Sequence, residues 1–171
     1  SYQVANAKGL TPEPMAWSMM RVTGVLERIV KTPRPEDSAF TFKDYINGRI
    51  PAPDNLADTM LLFTSVFGNP PGEAEVEFQP SMGQALFLMN EQLVLDWLKP
   101  SEGNLVDRLV KLEDPEKITE ELFLQVLSRF PGEQEAAEVV AHLEENRDRF
   151  TDAISEYAWA LVTSAEFKLN H

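Results

Sequence analysis

The residues able to do chemistry in this chain are few and scattered. There are two histidines and no cysteine among 171 residues. Without cysteine, disulfides, thiolate nucleophiles and cysteine metal sites are excluded. His142 follows Glu138 by four positions, so a helix would put both on one face. A metal site needs further ligands, and neither H-E-x-x-H nor any other histidine pair is present. His142 therefore reads as a surface or half-buried structural residue, and His171 as a chain end. Serine has no G-x-S-x-G setting, and Pro80-Ser81 reads better as a helix start. Gly68, Gly72 and Gly83 form neither a P-loop nor a dinucleotide fingerprint. Carboxylate pairs such as Glu120-Glu121 and Glu144-Glu145 are sequence neighbours, which diverge on a helix, and they read as solvated faces. Asp54-Asn55 with Asp58 lacks the alternating oxygens and central glycine of a calcium loop. From these motifs no catalytic, cofactor-binding or metal-binding residue is assigned.

Charge narrows the partners. The formal net charge is −13, from 28 acids and 15 bases. Phosphate neutralisation needs the opposite balance, so nucleic acid and anionic membrane surfaces are poor partners. Residues 113–148 hold eleven acids and three bases, a local net of −8. Such a face attracts a basic partner, although keeping the surface solvated is its simplest use. No apolar run reaches the ~20 residues needed to cross a bilayer, so membrane insertion is not expected.

The elements that would carry these residues are helices. At 171 residues the chain suits one domain, with residues 1–10 as a loose arm. Thr11-Pro12-Glu13 is a helix start, followed by the stripe Met15, Met19, Val22, Leu26 and Ile29, and stopped by Pro33 and Pro35. A short helix is expected within 36–48. Another starts at Asp54 and runs through Leu56, Met60, Phe63 and Phe67 to Gly68. The segment from 68 to 80 reads as a long irregular loop, with Ala74–Phe78 extended. Beyond it come the stripes Met82–Trp97, Leu105–Leu112, and Ile118, Leu122, Val126, Leu127 and Phe130. The last two are Ala136–Leu143 and Ile154, Tyr157, Ala158, Leu161, Val162 and Ala165. Asp114-Pro115 opens the third of these. The expected fold is an all-α bundle of about six to eight helices with short antiparallel connections.

Three segments carry a resemblance. They are Pro80-Ser81-Met82-Gly83-Gln84-Ala85-Leu86-Phe87-Leu88-Met89-Asn90 (preceded by Phe67-Gly68-Asn69-Pro70), the stretch Ile118 to Pro131, and the ending Trp159 to His171. Together they resemble the C-terminal domain of unknown function of large exported planctomycete proteins. Corresponding stretches there read like PSLAQALHLLN, LYLATLGRYPT and ALLNSKEFLFNH. The likeness covers about Phe67 to His171, and Thr11 to Gly24 matches the upstream part more loosely. Family members often carry an Arg and a Cys where this chain reads Asn69 to Gln79, and neither is present here. The resemblance implies the tail of a larger exported or periplasmic protein with an upstream cytochrome-c-like region. It implies no catalytic residue. The function expected is a non-catalytic interaction or structural module, its partners being other domains of the same protein or a separate protein. The alternative is a subdomain of a polysaccharide-processing or redox enzyme completed by upstream domains.

Overall fold

The computed structural model describes residues 10–68 and 92–169. The arm before Leu10, most of the loop near 68–80, the extended stretch 74–78, the stripe residues Met82, Leu86 and Met89, and His171 lie outside the described residues. The described residues form an all-α bundle built on five helices of 12 or 13 residues, with shorter helical segments between them.

Helix α1 (Pro12–Thr23) begins where Pro12 supplies a preset φ and no amide to satisfy. Thr11 is extended, but its side chain makes no capping bond; its carbonyl accepts from Met15 N instead. The helix does not continue through Leu26, as the stripe suggested. It stops at Gly24, which sits in the left-handed region at φ 82°. A Cβ there would lie 3.0 Å from Asn104 Cα, so the close approach of a later loop demands glycine. Helix α2 (Leu26–Lys31) resumes on a new axis. Helix α3 (Phe42–Ile46) is capped by Thr41, whose Oγ1 accepts from Asp44 N at 3.1 Å. Helix α4 (Leu56–Phe67) is capped by Asn55 and not by Asp54: Asn55 Oδ1 accepts from Asp58 N at 3.0 Å.

Helix α5 (Gln92–Leu98) leads to α6 (Leu105–Val110), joined by Asn104. Its Oδ1 accepts from Asp107 N, and its amide donates to the carbonyls of Trp97 (3.1 Å) and Lys99 (2.7 Å), so one buried side chain closes two helix ends. Helix α7 (Pro115–Leu127) opens on Asp114, which accepts from Glu116 N and Lys117 N. Helix α8 (Glu133–Glu145) follows, then a 3-10 turn (Arg147–Arg149), α9 (Phe150–Val162) and α10 (Ala165–Leu169).

Helix α9 is the centre of the packing, touching α5, α6, α7 and α8, while α1 lies along α4. Its buried face is Ala153, Ile154, Ala158 and Val162. Tyr157 and Leu161 are only half-buried, and Ala165, beyond the bend at Thr163 and Ser164, is exposed. The bend delivers Phe167 into the core instead. The core continues through Ile118, Leu122 and Val126 of α7, Leu105 and Leu109 of α6, and Met15, Met19 and Met20 of α1. Phe63 of α4 stacks on Trp97 of α5, with ring centroids 6.2 Å apart.

Candidate functional site

The turn between α7 and α8 organises the surface. Helix α7 ends at Ser128, a non-glycine residue at φ 56°, and this left-handed step throws the chain sideways. Phe130 consequently leaves the core stripe to which periodicity assigned it, and is 64% exposed. Pro131 and Gly132 then open α8. Glu135 reaches back to accept from Gly132 N at 2.7 Å, closing the new helix end.

Arg129 fixes this turn. Its guanidinium donates to both oxygens of Glu135 (2.8 and 2.8 Å) and both oxygens of Glu166 on α10 (2.6 and 2.8 Å). It also donates to the Phe130 carbonyl and lies over the Phe123 ring at 5.2 Å. The bonds from Arg129, then the Gly132 amide, hold the Glu135 carboxyl down at about 2, and the two carboxylates push the Arg129 guanidinium upward. Arg129 and Glu166 lie in two of the segments that carry the family resemblance, so those segments meet here in space.

Beside the turn, between α7 and α8, lies an open groove of about 400 Å³. Its apolar lining is Phe130, Pro131, Ala136, Ala137 and Val140. Its polar lining is Glu116 and Glu120, one turn apart on α7, with Glu133 at the start of α8 and Thr119 between. Thr119 is satisfied internally, donating to the Pro115 carbonyl at 2.7 Å. The three glutamates are exposed. The acidic stretch 113–148 therefore contributes three carboxylates to one rim, while Glu120 and Glu121 diverge as expected, and Glu144 and Glu145 face solvent.

His142 does not act with Glu138. Its Nε2 lies 3.5 Å from Glu156 of α9 and its ring meets Tyr157 edge-on at 5.1 Å. Arg149 binds Glu156 through two nitrogens (2.6 and 3.0 Å), which lowers the Glu156 carboxyl. Burial first, then the charge of Glu138, raises the Tyr157 phenol. This cluster clamps α8 to α9.

Asp58 is the polar residue whose role sequence reading missed. It is buried and accepts from Ser38 Oγ (2.8 Å) and Asn55 Nδ2 (3.0 Å), while Arg34 Nε stands 2.8 Å from Oδ1 as an ion pair. It ties the irregular chain before α3 to the start of α4. The spacing of Asn55 and Asp58, a helix cap and its third following residue, was the available signal.

Among the described residues no group of three or more His, Cys, Asp or Glu side chains could hold a metal ion, and no helix is long and apolar enough to cross a membrane. No protein-family model matches the chain, and neither a characterised protein nor a solved structure is found similar to it.

Proposed function

We propose that this domain is a non-catalytic interaction module whose working surface is the groove between α7 and α8, and that it serves an exported multi-domain protein. The observation that carries the first part is the groove itself. A large aromatic ring, Phe130, is left 64% exposed at the edge of an apolar cleft, by a turn that Arg129 holds rigid. Exposed apolar surface rimmed by polar groups marks binding sites. The second part rests on the resemblance of the segments ending at Pro131 and His171.

Site-directed photo-crosslinking tests the reading. A photoreactive residue replaces Ala137, in the groove, in the full-length protein in its own cells. A control replaces Lys111, exposed just past α6. The expected result is a discrete adduct from position 137, to another domain or another protein, that position 111 does not give. Equal adducts from both positions, or none from 137, would refute the reading.

A further inference from the structure

We infer that the occupant of the α7–α8 groove is a basic amphipathic helix of another protein, an inference that rests on the interaction reading above. Charge and shape together select this occupant. Some surface acids find cations locally: Glu27 with Lys31, Asp107 with Lys111, Glu156 with Arg149. Among the described residues Glu116, Glu120 and Glu133 have no such cation. Three carboxylates thus stand beside an apolar floor with their charge uncompensated.

The arrangement matches one kind of ligand. Glu116 and Glu120 border the apolar floor from α7, and Glu133 borders it from α8. A ligand that satisfies both borders presents an apolar stripe with cations on either side. An amphipathic helix rich in Lys or Arg has that cross-section, with anchors at i, i+3 and i+4. The floor of Ala136, Ala137 and Val140 is low, so large apolar side chains can descend beside Phe130. A cleft of about 400 Å³ holds on the order of a dozen waters for such side chains to displace.

The other occupants fit less well. A second copy of this chain carries a net charge of −13 and would set acid against acid. Nucleic acid and an anionic lipid surface are repelled by the same rim. A neutral apolar peptide would leave the three carboxylates partly desolvated without a partner.

Two synthetic helical peptides with the same leucine stripe and one tryptophan separate the possibilities. One carries lysine at its polar positions, the other glutamate. Each is titrated into the full chain by fluorescence anisotropy, and the bound state is mapped by amide chemical shifts. The lysine peptide should bind, shift amides of residues 116–140, and weaken with added salt. Glu120→Lys should weaken it about tenfold, because a rim attraction becomes a repulsion. Phe130→Ala should weaken it while leaving the melting temperature unchanged. Glu145→Lys, which alters the net charge equally but lies outside the groove, should have little effect. Equal losses for Glu120→Lys and Glu145→Lys would reduce the effect to diffuse attraction and overturn the inference. So would equal binding of the glutamate peptide, or no binding of either. An adduct from position 137 alongside any of these failures leaves the interaction reading standing without its basic partner. Failure of that crosslink removes the reading itself.

Discussion

Replacing Arg129 with alanine tests the physical account of the turn. The substitution removes four hydrogen bonds to two carboxylates and the contact over Phe123, and leaves Glu135 and Glu166 facing each other. The Glu135 carboxyl sits at about 2 in the folded chain against an ordinary 4.5. In a sealed site that depression would correspond to roughly 3 kcal/mol. The Arg129 and Glu135 side chains are 36% and 42% exposed, so water and salt screen them. The discounted contribution is about 1–1.5 kcal/mol. The Glu166 bonds and the ring contact bring the total to about 2–3 kcal/mol, a substantial share of the ~5–15 kcal/mol that holds a domain together. Because the folded carboxyl titrates below the unfolded one, this stability is complete above the unfolded value. It is lost as pH falls from about 4.5 towards about 2. Urea denaturation of both proteins at pH 7, 4 and 2.5 measures it. The Arg129→Ala variant should be less stable at pH 7, and the gap should narrow as pH falls. A gap independent of pH, or one absent at pH 7, would refute the reasoning.

The remaining predictions concern the same bundle. Phe167→Ala should cost about 3–5 kcal/mol in chemical denaturation, since Phe167 is fully buried, whereas half-buried Leu161→Ala should cost less than about 2 kcal/mol. Gly24→Ala should lower stability by about 1–2 kcal/mol, because φ 82° is strained for any L side chain and the added Cβ meets Asn104; an unchanged melting temperature would disprove that packing. Asp58→Ala should cost about 1–3 kcal/mol by stranding the Asn55 amide and Arg34, and amide exchange should show the loss first at the start of α4.

What sequence reading reached and missed follows from the range of each interaction. Helix starts were legible at Pro12 and Asp114-Pro115, where capping is settled within three or four residues. The all-α class followed from the stripes those starts introduce. Gly24 was hidden, because Val22, Leu26 and Ile29 keep helical spacing across it. Glycine at a helix end is a local stop signal that the continuing stripe outweighed, whereas the close approach of Asn104, 80 positions away, was invisible to any local pattern. Phe130 was misplaced for a related reason. Its spacing from Leu127 suits a helix, but α7 has already ended at Ser128. The distant partners of Asp58 and Arg129 were not legible, since they lie up to 24 and 37 positions away.

The groove shows the same limit from the other side. Its carboxylates were visible as an acidic stretch and its floor as a helical stripe through Ala136 and Val140, yet nothing in the order of residues joins the two. The turn joins them. Glu135 and Glu166 share the one guanidinium of Arg129, which ties the end of α7 to α8 and α10. Glu116, Glu120 and Glu133 are left with their charge available. The clamp also fixes the exposed position of Phe130. Weakening the clamp should therefore disturb the groove as well as the fold. Arg129→Ala should loosen lysine-peptide binding even at temperatures well below its melting transition. Glu156→Gln, which disturbs the α8–α9 clamp instead, should not.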